Sequence, residues 1–282
     1  MNKKIDLSKM ENISGKIILT GNGLVVYDCE NNDFRTYLSE YYSIRSACFN
    51  ETYDIIYFAK EDGIFAFSIN ENTITCIHDQ TRVSQLKMRP NHNEISFLVD
   101  MHYSTNETIF TWDIVEKKET KLTNTKYEIT NYCWNENGES LTYNTTSHAG
   151  EILYLSYKLE INEGGENEIH EIGNLFFNNQ LESSNGKLKT NVILEQFFGR
   201  TYEFEIINIS NNKKYKIKRK KDKNGDVIFS PENFNFSPNS DMLIFSEFSP
   251  KDKMYKVYIW DWKARKYAIL TESSTAVDFN WC

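Results

Sequence analysis

The chain has 282 residues, a net charge of −8 and a hydrophobic fraction of 40%, with 17 Tyr and 18 Phe. A surface this negative repels phosphates, which argues against a general affinity for nucleic acid or an anionic membrane. Five cysteines without Cys-x-x-Cys spacing, and no apolar run of eighteen residues, argue against a disulfide framework, a zinc knuckle and a membrane span. We expect one cytoplasmic domain over residues 1–282.

The first predicted elements follow a short leader at residues 1–12. Three short apolar runs, at 16–20, 24–27 and 34–38, are separated by turn residues and are typical of β-strands. Because no fourth run precedes them, these three strands need a partner from elsewhere in the chain.

A pair of apolar residues seven positions apart, separated by a turn rich in Asn, Ser, Gly and Pro, then recurs along the chain. The pairs are Phe49/Ile56, Met88/Ile95, Trp134/Leu141, the weaker Leu181/Leu188, and Phe236/Leu243. We call the first member of each pair the anchor. Anchors at 49, 88, 134, 181 and 236 lie 39 to 55 residues apart, a spacing that fits single four-stranded propeller blades with variable loops.

The final segment, 275–282, reads as one inner strand with Trp281 as its anchor. One strand at the end and three at the start complete a further blade, which removes the open sheet edge. We therefore predict an all-β, six-bladed β-propeller of four-stranded antiparallel blades, closed by the C-terminal strand joining the N-terminal three. A seven-bladed ring with one degenerate blade and a pair of β-sandwiches remain alternatives, and the blade at about 174–221 is expected to be irregular.

Several short motifs carry a family resemblance. They are the Phe-Ser-Pro-Asn-Ser turn at 236–240, the Trp-Asp dipeptides at 112–113 and 260–261, and the Leu-Thr strand ends at 122–123 and 270–271. Together they resemble the WD-repeat-like propellers of the TolB type, over most of the chain. The resemblance implies the fold alone, because interaction modules, periplasmic factors and peptidase propeller domains share this repeat.

A polar residue stands three positions before each anchor. These residues are Ser46, Gln85, Asn131, Asn178, Asn233 and Asp278. We expect them to line the central channel, where they would hydrogen-bond one another and channel water; a ligand or ion site there is the alternative.

The loops after the second strands of successive blades bring further polar groups to one end of the channel. His102 and Tyr103, His148, and Glu195 occupy equivalent places, and Tyr41 and Tyr127 lie in neighbouring loops. We predict a binding mouth there. Two imidazoles and one carboxylate form a set that a transition metal could use, but no local motif fixes their spacing, so we expect no metal and no cofactor.

A basic run between Lys213 and Lys223 carries eight positive charges and one negative charge. Its Lys/Ile alternation is typical of an outer edge strand whose charges prevent edge-to-edge pairing, and five glutamates at 160–171 would balance them. The alternative is docking to an acidic protein or to a nucleic-acid backbone, for which this run is the one candidate.

The sequence contains no Gly-x-Ser-x-Gly, Walker or His-Glu-x-x-His motif. Cys48 and Cys133 both stand one position before an anchor, which favours buried packing residues over nucleophiles. We therefore expect a monomeric, non-catalytic recognition or scaffold module that binds a protein or small ligand at the channel mouth. The alternative is an enzyme, a metal-dependent lyase or hydrolase, that uses the same mouth.

Overall fold

The computed structural model describes residues 10, 13–21, 23–41, 43–100, 107–125, 127–147, 153–162, 167–175, 178–179, 182–194, 202–216, 234–249, 252–274 and 277–282. They form 24 strands in six antiparallel four-stranded sheets, which we number as blades I to VI. The described residues contain no helix that is long and apolar enough to cross a membrane.

The strands follow one another blade by blade along the chain. Blade I begins with β1 (Lys16–Gly21), β2 (Gly23–Asp28) and β3 (Asp33–Tyr37). Blade II comprises β4 (Ser46–Phe49), β5 (Ile55–Lys60), β6 (Gly63–Ser68) and β7 (Thr73–His78), and blade III comprises β8 (Val83–Met88), β9 (Glu94–Asp100), β10 (Glu107–Asp113) and β11 (Lys118–Lys121). Blade IV comprises β12 (Glu128–Trp134), β13 (Ser140–Ser147), β14 (Leu153–Glu160) and β15 (Glu168–Leu175).

Blade V comprises β16 (Asn178–Asn179), β17 (Leu188–Leu194), β18 (Tyr202–Asn208) and β19 (Lys214–Lys216). Blade VI comprises β20 (Phe234–Phe236), β21 (Met242–Ser249), β22 (Met254–Asp261) and β23 (Lys266–Ser273). The last strand, β24 (Phe279–Trp281), pairs with β1 and supplies the inner strand of blade I. The six-bladed architecture and its closure are therefore confirmed, with Ile18 opposite Asn280 and Leu19 opposite Phe279.

Apolar side chains fill the layers between adjacent blades. Five buried clusters lie between blades VI and I, V and VI, I and II, II and III, and III and IV. Each large side chain removed from water in these layers contributes roughly 1.5–3 kcal/mol to stability. Among the described residues, the layer between blades IV and V instead has a cavity of about 560 Å³.

Four predicted anchor pairs are cross-strand partners: Phe49/Ile56, Met88/Ile95, Trp134/Leu141 and Phe236/Leu243. The fifth prediction, Leu181/Leu188, is wrong by one residue. Leu188 lies opposite Ser183, whose amide and hydroxyl groups bond to its main chain, and the next pair is Glu182 with Lys189. The turn chemistry of Ser183 sets this register, so blade V places Glu182 where the other blades place a large apolar anchor.

The turns between the first and second strands share one geometry in blades II to VI. Each closes a six-residue turn with two main-chain hydrogen bonds, at 50–55, 89–94, 135–140, 183–188 and 237–242. In four of them the first side chain also accepts the amide of the sixth residue, at 3.0 Å. The acceptors are Asn50, Asn135, Ser183 and Ser237. These side-chain caps hold the turns around one end of the channel.

Candidate functional site

The two ends of the ring differ in what they carry. We call the end with the turns just described the turn face, and the opposite end, with the blade-joining loops such as 38–41, 79–82 and 122–125, the loop face. A cavity of about 370 Å³ opens on the turn face along the channel axis, and its described lining comes from all six blades. A cavity of this volume is large enough for a small ligand.

The lining of this axial cavity follows the repeat. The anchors Phe49, Met88, Trp134, Phe236 and Trp281 form its walls, and the residues one position before an anchor lie one step further from the turn face. These deeper residues are Lys87, Cys133, Asn235 and Asn280. The predicted channel-lining set lies two positions deeper still, and none of its members is among the described lining residues.

Hydrogen bonds across the axis close the channel below the cavity. Asn280 Nδ2 donates to the Leu86 carbonyl at 3.3 Å and joins blade I to blade III, and Asn235 Nδ2 donates to Asn280 Oδ1 at 3.1 Å. Asn131 Nδ2 donates to the Phe234 carbonyl at 3.1 Å and joins blade IV to blade VI. The cavity therefore has a polar floor.

Lys87 brings a positive charge to this floor. Its Nζ donates to the Tyr132 carbonyl, lies 3.5 Å from Asn131 Oδ1 and stands 4.9 Å from the centre of the Tyr132 ring. The half-buried side chain forms no ion pair with any described residue. Burial lowers the pKa of the Lys87 amine, although Asp278 and nearby thiols act in the opposite direction.

Three cysteine thiols lie close to the same floor, and none of them is activated as a nucleophile. Burial raises the pKa of Cys133, and it raises the pKa of Cys282 to about 11, even though a hydrogen bond from the Phe49 amide to Cys282 acts in the opposite direction. Burial also raises the pKa of Cys48 well above its ordinary value. All three are protonated at neutral pH, and a thiol in that state is a poor nucleophile.

The larger cavity adjoins the axial one. It lies between blades IV and V and shares Cys133, Trp134, Glu136 and Ser184 with the axial cavity. Its charged lining residues are Glu136, Lys158 and Glu182, of which Lys158 pairs with Glu160 at 2.9 Å. Burial raises the pKa of the half-buried Glu182 carboxyl, against the opposing effect of Lys158 and Lys189, and Glu182 forms no ion pair with a described residue.

Ser46, Gln85 and Asn131, three of the predicted channel-lining residues, link different blades. Ser46 Oγ accepts the Leu86 amide at 2.8 Å and Gln85 Nε2 donates to the Thr130 carbonyl at 2.9 Å. The Asp278 carbonyl accepts the Thr20 amide at 3.0 Å within blade I. Asn131 bonds to Phe234 as described above. Asn178 lies in β16, and Asn233 lies outside the described residues. Their role in lining the channel stays a prediction.

Most of the residues predicted to form the mouth are not described by the structure. His102, Tyr103, His148 and Glu195 lie outside the described residues. Tyr41 is half-buried, edge-on to Phe58 with ring centres 6.5 Å apart, and half-buried Tyr127 donates its amide to Thr125 Oγ1. The structure brings Tyr41 and Tyr127 to the same end of the ring.

The start of the basic run is an edge strand. Lys214 and Lys216 of β19 lie 3.0 and 3.9 Å from the carboxylate of buried Glu205, and Tyr215 packs against Trp262 with ring centres 4.6 Å apart. Residues 217–223 lie outside the described part of the chain. Neutralisation of Lys214 and Lys216 by Glu205 agrees with the edge-strand interpretation.

Two clusters of ionisable side chains were not identified from the sequence. A carboxylate group on the loop face brings Glu107 opposite Asp100 and near Glu128. On the outer strands of blade IV, ligand atoms of Glu160, Glu168 and His170 lie within 4.8 Å of one another, on largely exposed side chains. Lys87 was detectable, because it is the one charged residue immediately before a predicted anchor.

No protein-family model and no curated protein matches this sequence. Among solved structures, TolB from Acinetobacter baumannii superposes with a TM-score of 0.68 at 16% identity, over 95% of this chain and 67% of that one. A chain of the nidogen/laminin complex gives 0.63 at 11% identity, over 94% and 98% of the two chains. An oligogalacturonate lyase in complex with manganese gives 0.58 at 12% identity, over 90% and 73%.

At these identities the likeness is one of fold. The six closed blades, their register and these superpositions together show that the chain has the six-bladed β-propeller fold and that this fold is similar to that of TolB.

Proposed function

We propose that this protein is a non-catalytic recognition module whose binding site is the turn-face end of its central channel. The observation that carries the proposal is the axial cavity of about 370 Å³, which combines a polar floor, apolar walls and input from all six blades. Most ligand sites have this combination of a concave, largely apolar pocket and a few convergent polar groups.

The chemistry of the cavity supports binding rather than catalysis. Its thiols are protonated at neutral pH, and its amide groups are engaged in bonds that hold the inner strands together. An activated nucleophile would need an adjacent general base or a lowered pKa. The described lining contains neither arrangement around Cys133 or Cys282.

The enzyme alternative keeps one supporting observation, the fold that the chain shares with an oligogalacturonate lyase in complex with manganese. Its site would use His102, His148 and Glu195, which the sequence predicts at the channel mouth. Elemental analysis of the purified protein tests this candidate. Stoichiometric metal that is lost in His102→Ala and His148→Ala would favour the enzyme, and metal-free protein would count against it.

Methionine methyl resonances give a direct test of the recognition proposal. Met88 lines the axial cavity, whereas Met242 is buried in the layer between blades VI and I and Met254 begins β22. With ¹³C-methyl-labelled protein and a library of small polar and amphipathic molecules, binders should shift Met88 and leave Met242 and Met254 unchanged. A library in which no compound shifts Met88 would contradict the proposal.

A further inference from the structure

We infer that the ligand of this face is a small zwitterion, whose carboxylate meets Lys87 on the axis and whose ammonium group meets Glu182 in the adjoining cavity. The inference rests on the proposed function and specifies its ligand. It comes from two ionisable side chains of opposite charge that form no ion pair with the described residues and line adjoining cavities.

The cationic end is Lys87. A half-buried ammonium group that contacts no carboxylate is costly, because the water removed from it is not replaced by an ion pair. Lys87 Nζ contacts one main-chain carbonyl, Asn131 Oδ1 at long range and the face of a ring, and Asp278 acts on it without forming an ion pair. A ligand carboxylate would form that pair, with the side-chain amides of Asn235 and Asn280 beside it on the floor.

The anionic end is Glu182. At this position of the repeat the five other blades carry large apolar side chains, those of Phe49, Met88, Trp134, Phe236 and Trp281. Blade V instead places a half-buried carboxylate there, facing a cavity of about 560 Å³. A primary ammonium group would pair with Glu182 and would lower the carboxyl pKa that burial has raised.

The junction between the cavities fits the middle of such a molecule. Cys133 and Trp134 contribute apolar surface to both cavities, and Glu136 and Ser184 form the rim above them. Glu136 lines both cavities and Glu51 lines the axial one, so neither decides the orientation. Lys87 is the cationic residue of the described axial lining and therefore orients the ligand, with its carboxylate toward the channel axis.

A set of probes with one chain length separates the two contacts. We would titrate 6-aminohexanoate, hexanoate, hexylamine and 1-hexanol, following the Met88 methyl signal and the heat of binding, with 4-aminobutanoate and 8-aminooctanoate to measure the span. The zwitterion of best length should bind about tenfold or more tightly than either singly charged probe, because each charged contact adds separately. Hexanol should bind most weakly.

Variants then assign each contact. Lys87→Met should remove the advantage of hexanoate over hexanol, Lys87→Arg should keep part of it, and Glu182→Gln should remove the advantage of the amine. Lys118→Met on β11 and Glu107→Gln on the loop face are matched controls that should leave all affinities unchanged.

Three results overturn the inference without touching the recognition proposal: hexanol binding as tightly as the zwitterion, either singly charged probe binding as tightly as the zwitterion, or Lys87→Met and Glu182→Gln binding all probes like wild type. If no molecule of any class shifts Met88, the recognition proposal itself fails. If Lys87→Met does not fold, the comparison of hexanoate with hexanol on the wild-type protein still tests the cationic contact.

Discussion

The two faces of the ring satisfy their polar groups in different ways. On the turn face, local side-chain caps close four turns, and the fifth, in blade III, has Arg89 instead. On the loop face, Glu107 lies opposite Asp100 and near Glu128, and its buried Oε2 has no hydrogen-bond partner. The turn face thus pairs most of its described turn side chains and leaves the buried Ser240 hydroxyl without a partner, whereas the loop face brings three carboxylates together.

This difference separates two kinds of stability. Completed hydrogen bonds at the turn face hold a cavity in shape, and their contribution does not depend on pH near neutrality. Crowded carboxylates at the loop face make stability depend on protonation. Four substitutions test this difference between the two faces, in order of decreasing expected change in stability.

Arg89→Met should cost the most, about 3 kcal/mol of the free energy of unfolding, because it leaves Glu94 and a carbonyl of the next blade without their partner. Arg89 Nε donates to the Gly138 carbonyl at 2.8 Å and Nη1 lies 2.9 Å from Glu94, with the guanidinium largely buried. Urea denaturation measures the change. Arg35→Met removes an exposed pair with Asp33 and is the matched control, expected to unfold at nearly the same urea concentration as wild type. Equal losses in both variants would contradict the interpretation.

Gly138→Ala should cost about 2–3 kcal/mol, because a Cβ there would lie 2.3 Å from the Pro90 carbonyl oxygen at a φ of +75°. Gly186 occupies the equivalent turn position with a φ of +65° and no atom within 4 Å of the same Cβ. Gly186→Ala should therefore cost only about 1 kcal/mol, from backbone strain alone. The difference between the two variants isolates the contact between blades III and IV, and identical values would show that it carries no energy.

The pH dependence of the free energy of unfolding is expected to come from carboxylates on the loop face. Burial, with help from Glu128 and Asp100, raises the pKa of Glu107 to about 7, from an ordinary value of 4.5. The folded state then holds this proton more tightly than the unfolded state, so stability is complete below about pH 4.5 and falls as pH rises to about 7.

Glu107→Gln should remove that slope and raise stability at pH 8 by about 1–2 kcal/mol. Chemical denaturation at pH 5, 6, 7 and 8 measures it. Glu116→Gln, in an exposed turn, is the control and should keep the wild-type slope. A slope that survives in Glu107→Gln would place the titrating group elsewhere.

Ser237→Ala gives the smallest expected effect, about 1 kcal/mol, because it removes one buried cap from a turn whose main-chain bonds remain. Ser237 Oγ accepts the Met242 amide at 3.0 Å and donates to Asn239 Oδ1 at 2.8 Å. Thermal unfolding should show the loss, with the exposed Ser210→Ala as control. A loss as large as that of Arg89→Met would show that the local caps and the bond between blades are equivalent.

The architecture was predictable because the same weak sequence pattern recurs along the chain. One apolar pair across a turn says little, but recurrence at 49, 88, 134 and 236, with Trp281 left over, fixed the blade count and the closure. The error in blade V has a specific cause. Leu181 was chosen for its hydrophobicity, whereas Ser183 and Asn185 match Ser237 and Asn239 of the turn in blade VI and would have aligned Glu182 with Phe236.

The candidate site was harder to predict, because it depends on convergence between distant strands. The sequence places Lys87 one position before an anchor, but it does not show that Asn235 and Asn280 share the floor with it. Nor does it show that Glu182 and Lys87 open into adjoining cavities, because that depends on how far the blades stand apart. Turn chemistry and hydrophobic period are set by residues close together in the sequence, whereas a cavity is formed by residues that are far apart in it.

The pairing of β24 with β1 constrains how the chain is made. Ile17 and Trp281 are cross-strand neighbours at opposite ends of the sequence. Because a ribosome adds about 5–20 residues per second, β24 is synthesised on the order of ten seconds or longer after β1. During that interval the edge of β1, with Ile17 and Leu19 on it, is unpaired in the nascent chain. Chaperone occupancy during translation should therefore concentrate on the earliest blade rather than on the latest one.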